Sequence, residues 1–447
     1  MDAHGSIASH VIFGWDPIWV STILFVLTYA VIVSERINRA IVALVGAGLM
    51  ISLGVLNQET AIRGVDFNTL GLLTGMMVVV AITRRSGVFQ FIAIWSAKRV
   101  QARPWAILVM LSVVTAVFSA LLDNVTTVLL IAPVTLLITD ELDVKPYPFL
   151  VAEIFASNIG GTATLIGDPP NIMIGSAVRL TFNDFLFNLA PITPLILVVT
   201  LTVFYFIYGR GMGASDERRA HIMRFKEREA ITDVPLLKKS LAVLALVIVA
   251  FLFAHPLRLE PATIAMFGAA LLLLITNIGR KAEAQSESVH RRFGEVEWVT
   301  IFFFVGLFIV VHGIEHAGVL AILAERVLDT TGGDLAVTAL AIMWISAVAS
   351  AVVDNIPFVA TMIPMIKSMA PSFGGPEGLM PLWWSLALGA CLGGNGSLVG
   401  ASANLIVAGM AERAGHRIRF LPFMMLAFPM MLMSIVIASV YVYIRYL

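Results

Sequence analysis

Long apolar runs follow one another along nearly the whole chain, each bounded by a polar or glycine- and proline-containing stretch. The runs at Pro17 to Val33, Ala40 to Leu56, Phe185 to Phe206, Leu241 to Ala254, Thr263 to Ile275 and Leu421 to Tyr443, with their weakly polar flanks, approach the about 20 residues a helix needs to cross a bilayer. The pattern predicts about ten spans, at 18–34, 40–57, 69–83, 146–178, 185–208, 240–254, 261–277, 297–312, 380–412 and 421–444. Two further apolar stretches, 104–139 and 335–370, carry a polar cluster at their centre. A lipid-facing span could not hold such a cluster, so each is predicted to be a helical hairpin that returns to its own side. The expected fold class is an all-α polytopic membrane protein.

Lys and Arg set the expected orientation. They gather at Arg36 and Arg39, at Arg84 to Arg103, from Arg210 to Lys239, at Arg280 to Arg292 and at Arg413 to Arg419, while the opposite loops are nearly free of them. With the basic set in the cytoplasm, the first hairpin enters from inside and the second from outside. Both termini then lie outside, in the periplasm of an inner (plasma) membrane protein. The polar stretch 209–239 divides the chain near its midpoint and reads as a solvated cytoplasmic linker.

Composition confirms the class and excludes others. Of 447 residues, 59% are hydrophobic and 13% charged, with mean hydropathy +0.92, where a soluble domain carries about 25% charged residues. Formal net charge is zero, which gives no case for a nucleic-acid partner. One cysteine, Cys391, excludes an internal disulfide and a thiolate metal cluster. No phosphate-binding G-x-x-x-x-G-K-[ST] run occurs, so ATP could act only through a separate, associated ATPase subunit. Nothing implies a cofactor, a metal or an enzyme. The first residues lack the basic start of a cleavable leader, and none is expected.

Self-similarity is the most informative signal. Ser119-Ala-Leu-Leu-Asp123-Asn124 recurs as Ser350-Ala-Val-Val-Asp354-Asn355, and Pro133, Gly75 and Gly87 recur as Pro364, Gly306 and Gly318, all 231 residues on. The stretch Gly160-Gly161-Thr-Ala-Thr164-Leu-Ile-Gly167 to Asn171 recurs as Gly393-Gly394-Asn-Gly-Ser397-Leu-Val-Gly400 to Asn404, 233 residues on. Two copies of about five spans follow, at 1–208 and 240–447. Each has a hairpin (104–139, 335–370) and a broken span (146–178, 380–412), and the predicted orientation makes the copies inverted. Inverted repeats with interrupted helices are secondary-transporter architecture, with substrate held near the midplane.

The repeated motifs carry the candidate chemistry. At the tips, Asp123 and Asp354 precede second arms that would start with their N–H groups exposed, and Asp suits an N-cap. An intramembrane carboxylate also costs about 2.5–3.5 kcal/mol, more than a cap needs, because Asn or Ser would cap as well. The two acids are therefore candidates to carry a coupling proton or to ligate a cation, with capping as the alternative. Asn124, Thr126, Thr127 and Asn355 lie beside them. The glycine-rich breaks expose main-chain groups, tolerated only where they line a cavity. Asn158, Thr162, Thr164, Asn171, Asn395, Ser397 and Asn404 offer neutral hydrogen-bonding groups there. Asp168 precedes Pro169 and Pro170, which suit a helix start, so it reads as a cap or a third proton carrier. Glu153 is a candidate relay, and His312, Glu315 and His316 are interfacial or gating candidates. Cys391 reads as a small buried residue.

SALLDNVTTVLLIAPVT, ASNIGGTATLIGDPPNIMI, DNIPFVATMIP and ACLGGNGSLVGASAN resemble the ion transporter superfamily, in particular its branch of arsenite-exporting ArsB proteins and the P protein (a citrate-transporter-like domain). The resemblance covers nearly the whole chain. It implies a scaffold and a transport region of two inward-pointing hairpins and two broken helices. Related sodium-coupled dicarboxylate carriers have Ser-Asn-Thr at the tips, where this chain has Asp in both copies. Added acids, with no Arg in either tip or break, disfavour an anion and favour a neutral or cationic solute or proton coupling. The expectation is a proton-coupled antiporter exporting arsenite or antimonite. Na+/H+ antiport, anion transport and a channel are the alternatives.

Overall fold

The computed structural model describes residues 11–34 and 36–447, all of whose regular elements are helices. The first residues, on which the leader and N-terminal orientation readings fall, lie outside the described residues. Among the described residues, eight helices are long and apolar enough to cross a membrane, or nine if the pair Phe182–Asn188 and Thr193–Ile207, bent by 51°, is one span. Three of the eight are arms of the hairpins. The expected span at 40–57 is shorter, Arg39–Ser52, while the one at 261–277 forms as expected, Pro261–Asn277, 17 residues long.

Helix boundaries recur at the sequence-repeat spacing. Phe67–Arg84 matches Trp298–His316, Val88–Arg99 matches Val319–Thr331, and Pro104–Leu121 with Asn124–Glu141 matches Leu335–Val352 with Asn355–Ser368. Tyr147–Gly161 and Pro169–Val178 match Met380–Gly393 and Ser402–Arg413. The helices at Val88 and Val319 were absent from the predicted spans. At 12 and 13 residues they are too short to cross. Each follows a glycine at positive φ, Gly87 (+80°) or Gly318 (+83°), that turns the chain sharply out of the preceding helix.

Packing repeats as well. Phe67–Arg84 crosses Pro261–Asn277 so closely that a Cβ on Gly75 would lie 2.6 Å from the Ala265 carbonyl carbon. Trp298–His316 crosses Arg39–Ser52 in the same way, with Gly306 at 2.5 Å from the Ala43 carbonyl carbon. Small residues allow such close crossings in lipid, where burial against apolar tails gives no driving force of its own. These four helices interlock the halves.

The linker departs from its expected form. It contains the helix Asp216–Met223 and a 3-10 turn Glu227–Ala230, and the next helix already starts at Val234. Ile222 is fully buried. Lys98 donates to the Phe225 carbonyl at 2.8 Å and pairs with Glu227 at 2.5 Å. Arg219 donates to the Gln101 carbonyl, and the Thr232 N–H to the Ser86 carbonyl at 3.1 Å. The segment is docked on the first half because its basic residues find helix-end carbonyls and carboxylates there.

Candidate functional site

Two hairpin tips and two helix breaks meet in the interior. Asp123 ends the first tip in extended conformation, and its side chain accepts the Thr126 N–H at 2.7 Å. The next residue, Asn124, donates its N–H to the Gly167 carbonyl of the first break at 3.1 Å. Ser119 ties the same tip to the broken span by donating to the Ser157 carbonyl at 2.6 Å, and Ser350 makes the matching bond to the Ala390 carbonyl at 2.7 Å. Unwound main chain is thus satisfied across the tip–break junction, as a dry interior requires.

A chain of amides joins the two halves. Asn124 donates to Asn158 Oδ1 at 3.3 Å, and Asn158 Nδ2 donates to both Asn395 Oδ1 and Asn404 Oδ1 at 3.0 Å. The four are buried, with Asn158, Asn395 and Asn404 at zero exposure. Asn355 donates to Asp168 Oδ1 at 3.3 Å, so the second tip reaches the first break. Asn124 Oδ1, Thr127 Oγ1, Asp168 Oδ2 and Asn395 Nδ2 have no hydrogen-bond partner within the protein. Buried polar atoms are rarely left so, and these four belong to the tips and breaks, though others occur elsewhere in the helices.

Several predicted residues hold the breaks together. The Asn171 side chain donates to the Thr162 and Thr164 carbonyls at 3.1 and 2.9 Å, and Asn404 to those of Gly394 and Ser397 at 2.7 and 2.8 Å. Thr162 donates to the Asn158 carbonyl and Thr164 to the Ala120 carbonyl, while Ser397 accepts the Val399 N–H at 3.1 Å. These hydroxyls are committed to main chain. Pro169 does open the second half-helix, but the Asp168 side chain makes no capping bond. Its carboxylate turns to Asn355, which corrects the capping reading.

No Arg lies within either tip or break, yet one reaches the second tip from another helix. Arg39, counted in the sequence only as a basic loop residue, pairs with Asp354 Oδ2 at 2.8 Å and donates to Ser402 at 2.7 Å. Ser402 donates to the same Asp354 oxygen at 2.8 Å. A hollow of about 280 Å³ is lined by Arg39, Glu297, Asp354 and Ser402. A second, of about 220 Å³, is lined by Arg84, Thr126, Glu295 and Glu297. Glu297 is common to both, so both tips face one side of the protein, the side of Arg39 and Arg84.

Glu153 is buried against Thr135, which donates to its Oε1, and its Oε2 has no partner. His312 and Glu315 contact each other at 3.0 Å on the far side, where they line a hollow of about 450 Å³ with Arg63, Arg179 and Lys367. Cys391 is buried and donates to Asn171 Oδ1 at 3.5 Å. Among the described residues no group of His, Cys, Asp and Glu is arranged to hold a metal ion.

A helical, multi-pass chain that buries hairpin tips and broken helices around one polar junction is a membrane transporter. Comparison with known proteins supplies the family. The chain belongs to the citrate transporter family, which matches residues 29–389, within the ion transporter superfamily its motifs resemble. It is similar to an uncharacterized transporter of Mycobacterium tuberculosis, 43% identical over 96% of this chain and 98% of that one. It is also similar to the human P protein, 32% identical over 94% of this chain but only 59% of the P protein. Among solved structures, the YdaH transporter of Alcanivorax borkumensis aligns with TM-score 0.59 at 13% identity, covering 96% of this chain and 98% of that one. MtrF of Neisseria gonorrhoeae, of a class described as antimetabolite efflux pumps, aligns at 0.55 and 12%, covering 97% and 96%. At these identities the likeness is one of fold alone.

Proposed function

We propose that this transporter is a proton-coupled antiporter of the plasma membrane that exports a small uncharged solute rich in hydroxyls, with arsenite or antimonite as the best-fitting members. The observation that carries the reading is the character of the junction. Its polar groups are mainly the amides of Asn124, Asn158, Asn355 and Asn395 beside Asp123, Asp168 and Asp354, and the cation paired there, Arg39, is already engaged. Neutral donors and acceptors suit an uncharged hydroxide, whereas carboxylates outnumbering cations oppose a polyanion. Of the three carboxylates at the junction, Asp123, Asp168 and Asp354, only Asp354 has a cation partner among the described residues, so the junction calls for added positive charge, which protons can supply.

In the proposed cycle the two copies are inverted, with the basic loops inside and both termini outside. Substrate enters from the side of Arg39 and Arg84 and binds among Asn124, Asn158, Asn355 and Asn395. The site then turns outward, substrate leaves, and protons taken up by the acids accompany the return. Export of a neutral solute draws nothing directly from the membrane potential, so proton exchange would couple it to both components of the proton gradient. An associated ATPase subunit is not needed for this cycle.

The test is flux in everted vesicles under an imposed pH gradient. Arsenite uptake should rise with an acid interior and collapse with an uncoupler; uptake indifferent to the gradient would point to a channel and end the antiport reading. A second reading has an observation in its favour. The family is described as citrate transporters, and Arg39 gives a carboxylate substrate one partner at the second tip. Uptake of citrate, and not arsenite, in the same vesicles would establish it.

A further inference from the structure

The two tips match in sequence and differ in charge. Asp123 takes the Thr126 N–H at 2.7 Å, and no Lys, Arg or His among the described residues pairs with it. Asp354, its counterpart, takes the Ile356 N–H on Oδ1 at 3.0 Å and, on Oδ2, both the Arg39 guanidinium and the Ser402 hydroxyl at 2.8 Å. Arg39 is held from outside the tip. It begins the helix Arg39–Ser52, stacks 4.9 Å from the centre of the Phe303 ring and donates to Ser402 at 2.7 Å. The corresponding helix of the other half begins at Pro261 and gives Asp123 no such partner; Arg84 lines the hollow at Thr126 with Glu295 and Glu297 but makes no ion pair with Asp123. The other charged groups facing Asp354 are acids: Glu297 across the shared hollow and Asp168 beyond Asn355.

We infer that Arg39 is a tethered cation, filling at the second tip the place that the first tip leaves to an exchanged proton or metal cation. The guanidinium nitrogen sits between a carboxylate oxygen and a hydroxyl oxygen, the donor pair a small monovalent cation would use. A fixed charge there satisfies Asp354 in every cycle, so the tips together exchange one positive charge through Asp123 and not two. The inference deepens the coupled-transport reading and rests on it for that stoichiometry. The occupied site itself does not depend on which solute is carried.

The experiment uses the purified full chain as Arg39→Gln, Asp354→Asn and the double variant. Melting temperature is recorded against NaCl concentration, with choline chloride as the ionic-strength control, and against pH. Removing Arg39 opens a site at Asp354, so Arg39→Gln should be stabilised by Na+ or by acid more than the native chain is, since a ligand bound only by the folded state raises its stability. The double variant should return to the native response. An Arg39→Gln response equal to the native one, with the variant folded, overturns the inference. In proteoliposomes each single variant should lose at least about tenfold in flux, because each breaks a partly buried pair and leaves its other member uncompensated, and the double should recover most of that loss. A double variant as inactive as Asp354→Asn overturns it too. Should native flux ignore the pH gradient, the antiport reading fails, and the melting series alone decides on Arg39.

Discussion

At the scale of single residues, Asp123 and Asp354 separate two roles the sequence assigns jointly. Asp123→Asn keeps a side-chain oxygen to accept the Thr126 N–H, as Asp123 does at 2.7 Å. Helix start and melting temperature should therefore be nearly unchanged while gradient-driven flux is lost; full flux in this variant would reduce Asp123 to a cap. Cys391→Ser should be close to silent in flux, because the buried thiol donates weakly to Asn171, a bond that a serine hydroxyl can replace. The polar residues of the repeated motifs were legible in the sequence, and the structure does bring Asn124, Asn158, Asn395 and Asn404 together. Arg39 was not, since its partner Asp354 lies 315 residues away and its local context, at the start of an apolar run, is that of any cytoplasmic anchor. Nor could spacing tell that Thr162, Thr164 and Ser397 spend their hydroxyls on main chain. That depends on where the broken helix turns.

At the scale of elements, the hairpins and breaks were legible because Asp-Asn and Gly-Gly cannot continue an apolar helix in lipid. The short helices at Val88 and Val319 were not, since a 12-residue apolar stretch after a long span reads as part of the next loop. Their hinge glycines give a paired test. Alanine at positive φ costs about 1–2 kcal/mol, and Gly318→Ala should lose about that, because nothing lies within 4 Å of the added Cβ. Gly87→Ala should lose clearly more, since its Cβ would fall 1.7 Å from the Ala230 carbonyl oxygen and push the linker away. Equal melting temperatures for the two variants would contradict the docked linker. The linker should also respond to acid. The Lys98 hydrogen bond and charge hold Glu227 below its ordinary carboxylate range. The contact is thus fully present above that range and lost as pH falls through the lowered value, so linker amides should exchange faster only in strong acid.

At the scale of the whole molecule, Asn158 is the residue through which the halves meet, donating to Asn395 and Asn404 at once. Asn158→Ala leaves two buried carbonyl oxygens without that donor, a loss of about 1–3 kcal/mol for each unsatisfied group. It should lower melting temperature and flux together, and Asn158→Asp, which loses the same donor and sets a carboxylate against both oxygens, should lower them at least as far. Membrane class and duplication were readable at this scale, since they rest on hydropathy and on ordered polar motifs. Which half lends which group to the other was not, because every bond across the junction joins residues more than 180 positions apart.

The docking of the linker decides where this chain can be cut or extended. Its contacts run to Arg85, Ser86, Lys98, Gln101, Glu141 and Asp143, all in the first half, so it travels with that half whichever part moves. Gly211 and Gly213 have open space around them. A protease site or a fluorescent domain spliced in at 211–214 should leave expression and flux intact, while the same insertion at 229–232 should displace the strap from Gly87. Two separately expressed fragments divided at the first position would then assemble through the interlocked helices, the shared amides and the strap, which the second fragment carries and which docks on the first half.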